Sequence, residues 1–307
     1  MHITSIVKRS HLILCLTLLA SYCVPQLSAQ STVPNGNGSS NQIAVQGAFD
    51  QHRTFPETSN GYLFSFVRAP QPGAANIILN SVDTGARTEV TFALDGANSL
   101  QIEGVTVSPN QHLLVAGVLT RSDNGAKETF LAAADFSGNI IWRFNLGMYL
   151  PQRLCGASDG TVWVLGQDMK KEIAKGNKGD YDLLRAYSGD GQLQHSYLSR
   201  KSFTLSVEGI LNLGHGSPAL LSCGQQSVGV YLGIASSPTW FEVQLTSGAV
   251  QQWSVTHRQY AEISALSLLG KGTVFASFIS TRNNKSAGLY TLVPGAGNSA
   301  RWAPVGG

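Results

Sequence analysis

Apolar and polar residues alternate in short runs along most of this chain, and the runs come back in the same order. The second copy of the unit is the clearest. Over 103–108, Val105 and Val107 alternate with Thr106, the pattern of a strand with one buried face. Pro109 and Asn110 mark a turn, and a largely apolar run follows over 112–119. A polar loop over 120–127 leads to a third run over 128–135. Phe136, Ser137 and Gly138 then form a second turn before a fourth run over 139–145. The punctuating residues are those that tolerate positive φ or preset the dihedrals of a tight turn.

The unit recurs five times from about residue 52 onward, at intervals of about fifty residues. The first turns fall at Ser59-Asn60-Gly61, Pro109-Asn110, Asp159-Gly160, Gly214-His215-Gly216 and Gly270-Lys271-Gly272. The second turns fall at Asp83-Thr84-Gly85, Ser137-Gly138, Asp190-Gly191, Ser247-Gly248 and Gly295-Ala296-Gly297. Longer loops are expected over 167–181 and 225–238, and no stretch offers a long amphipathic helix. Such a period suits one four-stranded blade of a toroidal β-protein. The expected fold is therefore all-β: a five-bladed β-propeller of four-stranded antiparallel blades. An N-terminal strand over 42–49 is expected to join the last blade, closing the ring and removing an exposed edge.

Residues 134–142, with Asp135, Ser137, Gly138 and Trp142 at the key positions, resemble the repeat motif of quinoprotein-like and WD40-like β-propellers. Trp253 and Trp302 stand five residues after Gly248 and Gly297, while Glu89 and His195 take the matching place after Gly85 and Gly191. The resemblance implies that such Trp residues pack between blades. Five units fall short of the eight usual in quinoprotein enzymes, so no quinone and no other cofactor is implied.

The first 29 residues read as an export signal: Lys8 and Arg9, an apolar stretch over 11–24, and a small-residue end at Ala29. Removing them lowers the formal net charge of +3 by two. With only 13% charged residues, the remainder lacks the basic field of a nucleic-acid binder. Residues 30–41 are polar and rich in Gly, Ser and Asn, and are expected to be a flexible leader. Residues 42–307 form one expected domain. The protein is expected to be periplasmic or secreted, without a membrane span after cleavage, and monomeric. Two cysteines remain, Cys155 on an innermost strand and Cys223 on a second strand, and two buried free thiols are expected there. No Cys or His spacing suggests a metal.

Aligned on the first turns, the residues opening the five innermost strands are Arg53, Glu103, Gln152, Glu208 and Glu262. In a propeller these would ring one mouth of the central channel. One reading has them bind a protein or carbohydrate ligand there; another has Glu103, Glu208 and Glu262 act as the acid and base of a glycan-active enzyme. Like charges held close would raise one carboxyl pKa, supplying the acid such hydrolysis needs. A third reading has the carboxylates satisfy backbone amides of neighbouring loops. Gly104, following Glu103, would allow close strand packing. The charged loop over 168–180, with Lys170 and Lys171, is expected on the same face, placed to meet an anionic ligand or simply to be solvated.

Overall fold

The computed structural model describes residues 30–32, 42–44, 57–59, 61–69, 71–168, 183–198, 219–233, 238–256, 261–268, 272–280, 282–283 and 285–305. The chain divides into two compact units, Met1–Gln46 and Gly47–Gly307. In the first, β1 (Gln30–Thr32) and β2 (Gln42–Ala44) pair antiparallel, Ser31 opposite Ile43. Gln42–Ala44 thus belongs to a small hairpin with part of the expected leader, where a ring-closing strand was anticipated. The β-compatible residues Ser31, Thr32 and Ile43 suffice for this short ladder.

The second unit is a series of four-stranded meanders. The first comprises β3 (Glu57–Ser59), β4 (Tyr62–Arg68), β5 (Ala74–Ser81) and β6 (Arg87–Ala93). The second comprises β7 (Ala97–Val107), β8 (Leu113–Arg121), β9 (Lys127–Ala134) and β10 (Ile140–Gly147). The third comprises β11 (Tyr149–Gly156), β12 (Val162–Asp168), β13 (Leu184–Tyr187) and β14 (Leu193–Tyr197). The fourth runs β15 (Ala219–Cys223), β16 (Ser227–Leu232), β17 (Thr239–Gln244) and β18 (Val250–Val255). The fifth runs β19 (Ala261–Leu268), β20 (Val274–Ser280), β21 (Ser286–Pro294) and β22 (Ser299–Pro304). Each is hydrogen-bonded in sequence order, and all these pairings are antiparallel. The fourth and fifth meanders are further joined by a parallel contact between β18 and β22, Ser254 opposite Ser299 and Val255 opposite Ala300.

Strand composition follows position. β8 over 113–119 and β12 over 162–166 are apolar without interruption and buried on both faces, because alternate side chains enter two different cores. Leu113 and Val115 join a cluster with Ile77, Leu79 and Phe92 of the first meander. Leu114 and Ala116, pointing the other way, join Val162, Val164 and Tyr187 of the third. Two further clusters join the third meander to the fourth and the fourth to the fifth. Fourth strands are largely exposed, as in β10 and β14. The turn before β10 shows why its sequence is so regular. Gly138 at φ 89° donates to the Asp135 carbonyl at 3.0 Å. The Asp135 carboxylate accepts from the Asn139 amide side chain at 2.8 Å and from the backbone N–H of Ser137 and Asn139. These bonds, the Asn139 side chain foremost, hold its pKa below the usual carboxylate range.

Three sequence expectations require correction. The first strand of the fourth meander ends at Cys223, with its turn over 224–226; the Gly214-His215-Gly216 segment precedes it, outside the described residues. Cys223 therefore lies on an innermost strand, not a second one, and is bonded to Cys155. Asp168 belongs to β12 instead of the charged loop: it is 3% exposed and pairs with Arg185 at 3.6 Å. The Arg185 guanidinium also lies 4.0 Å from the centre of the Tyr149 ring.

Candidate functional site

The first strands of successive meanders pack side by side: β3 on β7, β7 on β11, β11 on β15 and β15 on β19. This inner row is where the sequence placed its candidate ring. The approach of β7 to β11 is close, since a Cβ on Gly104 would fall 2.9 Å from Leu154 Cβ and 3.3 Å from its backbone N. Only glycine fits there without displacing β11.

Glu103 and Gln152 hold the same place on these neighbouring strands. Each is the extra residue of a β-bulge. Ile102 pairs with Gly117 and Gly104 with Ala116, so Glu103 is the added residue between two consecutive pairs. Likewise Pro151 pairs with Gly166 and Arg153 with Leu165, leaving Gln152 out. The strand crowds its neighbour at each bulge: a Cβ on Gly117 would fall 2.1 Å from the Gln101 carbonyl oxygen, and one on Gly166 2.3 Å from that of Leu150. Bulges of this kind re-aim side chains. Glu103 is half-buried and accepts a hydrogen bond from Gln101 Nε2 at 2.5 Å. Gln152 is also half-buried, and its backbone carbonyl accepts from the Arg153 guanidinium at 2.8 Å. A carboxylate, an amide and a guanidinium thus occupy adjacent inner strands, a set suited to hydrogen-bonding a polar ligand.

The rest of the expected ring is less regular. The β19 bulge lies between Ile263 and Ala265, so Ser264 matches Glu103 and Gln152. Glu262 sits two positions earlier, opposite Ile279. Arg53, Glu208, Lys170 and Lys171 lie outside the described residues. Among the described residues, no group of three or more His, Cys, Asp or Glu side chains could hold a metal ion. Nor is any helix among them long and apolar enough to cross a membrane.

Sequence reasoning passed over a second concavity, a cleft of about 460 Å³ between the third and fourth meanders. Asp159, Thr161, His195, Tyr197 and Ser247 line it, and Trp163 stacks on Tyr197 at 5.3 Å at its base. Burial pushes the Tyr197 phenol up in pKa. The signal was present in the chain: His195 stands where Trp142 stands one meander earlier.

No family model and no curated protein sequence matches the chain. Among solved structures, the chain is similar to the β-propeller domain of the Trilobed protease from Pyrococcus furiosus, at 10% identity over 88% of this chain and 72% of that one, with a TM-score of 0.48. It is also similar to the Dos1 propeller, at 13% identity over 75% of this chain and 55% of that one, TM-score 0.40. Bacillus subtilis levansucrase is similar at 8% identity over 84% of each chain, TM-score 0.40.

Proposed function

We propose that this chain is an exported five-bladed β-propeller acting as a binding module, which takes a protein or carbohydrate ligand at the mouth of its central channel. Five meanders in sequence order, with first strands packed on one another, support the blade count. The Cys155–Cys223 disulfide supports an oxidising compartment, and with it the reading of residues 1–29 as an export signal.

One observation carries the binding site: the bulge repeated on β7 and β11, which turns Glu103 and Gln152 out of their ladders at equivalent positions. A bulge that served only to bend the strand would do so equally with an apolar residue at its apex. Arg53, Glu208, Glu262, Lys170 and Lys171 are proposed to complete the polar surround. The test is a glycan array and a partner pull-down on the mature chain, repeated with Glu103, Glu208 and Glu262 all changed to Gln. Loss of ligand at unchanged melting temperature supports the site. A drop in stability with no ligand affected assigns the carboxylates to the scaffold. Hydrolysis needs a second carboxylate about 5–9.5 Å from Glu103, so assaying released reducing sugar on any glycan hit separates binding from turnover.

A further inference from the structure

Aromatic side chains pack at each junction between consecutive meanders. Between the first and second, Phe136 from the turn before β10 stands edge-on to Tyr62 of β4, ring centres 5.8 Å apart. Between the second and third, the Trp142 indole N–H donates to the Gly189 carbonyl at 3.0 Å. Gly191 of the same turn lies so close that a Cβ would fall 2.2 Å from the Phe144 ring. Between the fourth and fifth, Trp302 of β22 stands edge-on to Tyr231 of β16 at 6.1 Å.

The third junction holds Trp163, Tyr197 and Phe241 at its base but lacks the indole that closes the second. His195 is the counterpart of Trp142: both follow the turn glycine by four residues and pair with an alanine, Ala186 and Ala133. Tyr197 is the counterpart of Phe144, and the two ring pairs keep similar spacings, 6.0 and 5.6 Å. The scaffold of the clamp is therefore intact, but its indole is missing. His195 is exposed, and the facing turn offers Thr246, Ser247 and Gly248. The open space left behind, about 460 Å³, lies within the usual size of a ligand site (about 300–1,000 Å³).

The geometry points to this cleft as the binding site for a tryptophan side chain presented by a partner peptide, seated where Trp142 would lie one junction earlier. The internal precedent defines the chemistry: a flat bicyclic ring packed against the Tyr197 position, with its N–H turned to the facing loop. Tyr197 and the base of Trp163 supply the apolar contact, and Tyr197 lies beneath Gly248, whose added Cβ would fall 3.2 Å from the phenolic oxygen. Gln194, Thr246 and Ser247 are exposed at the rim, where amide and hydroxyl groups can hydrogen-bond the peptide backbone on either side of the ring.

The test is to titrate the mature protein with the peptide Gly-Gly-Trp-Gly-Gly and with its Leu counterpart, following chemical shifts by NMR. The Trp peptide is expected to shift residues around Tyr197 and Ser247 and to bind at least about tenfold more tightly than the Leu peptide. His195→Trp fills the cleft from within, and should abolish the shifts while leaving the melting temperature unchanged or higher. Undiminished binding by His195→Trp, or equal binding of the Leu peptide, overturns the site. Equal affinity for N-acetyl-tryptophanamide overturns the peptide as occupant. Should His195→Trp fail to fold, Tyr197→Ala, which removes the packing ring, must weaken the Trp peptide at least about tenfold.

Discussion

Cys155 and Cys223 join the innermost strand of the third meander to that of the fourth, with Cα atoms 5.8 Å apart and a sequence separation of 68. The bond crosses from one sheet to the next instead of stapling a single sheet. It therefore fixes the spacing of the inner row that carries Gln152. Replacing both cysteines by serine is expected to cost about 2–4 kcal/mol, most of it by freeing the long loop in the unfolded chain. Urea unfolding of oxidised and reduced protein measures this; equal midpoints would show that the bridge constrains nothing.

The Asp168–Arg185 pair is buried among apolar neighbours, with side chains 2% and 15% exposed. Arg185→Ala removes a cationic partner from an enclosed carboxylate and the guanidinium from the Tyr149 face. A loss of roughly 3–5 kcal/mol is expected, and the double change Asp168→Leu, Arg185→Met should recover much of it. Thermal denaturation of the two variants distinguishes this from a simple loss of side-chain volume.

Tyr231 is buried between the fourth and fifth meanders, and burial pushes its phenol up to about 12. The unfolded chain loses this proton near 10, so the folded state binds more protons between those values and stability falls as pH rises through that window. The contribution is on the order of 2 kcal/mol, complete below pH 10. Tyr231→Phe is expected to flatten the alkaline limb of the stability–pH curve; an unchanged limb would place the sensitivity elsewhere.

Gly104 admits β7 to within contact of Leu154. Gly104→Ala forces the inner strands apart and should cost on the order of 1–3 kcal/mol. Leu154→Gly in the same background, which removes the Cβ in the way, should relieve part of this, giving non-additive changes in a double-mutant cycle.

The repeat, most of its turns and the apolar second strand of the second unit were legible in the chain because each rests on local chemistry. Asp135, Asn139 and Gly138 close their turn with bonds that span four residues. Where the reading failed, the cause was register. A bulge inserts one residue without disturbing the apolar pattern around it, so nothing near Glu262 announces that Ser264 is the true counterpart of Glu103. In the fourth meander, Gly214-His215-Gly216 has the composition of a hairpin turn, which displaced the first two strands of that meander and put Cys223 out of reach of Cys155. The open junction at His195 was written in the sequence as a missing tryptophan, but a cleft arises from two sheets facing each other, and a one-dimensional alignment reports only one of them.

The parallel pairing of β18 with β22 also bears on how such arrays can grow. Ser254 donates to the Asn298 carbonyl at 2.9 Å and Thr256 to that of Ala300 at 3.0 Å, so the last two modules share a backbone seam. A duplicated module inserted between them would break main-chain bonds that no side-chain substitution can restore. The first junction also carries a main-chain bond, Gly73 N–H to the Asn98 carbonyl at 2.9 Å, and the third carries the disulfide. The second is bridged by the Trp142 indole, and an engineer wishing to lengthen or shorten the array should cut there.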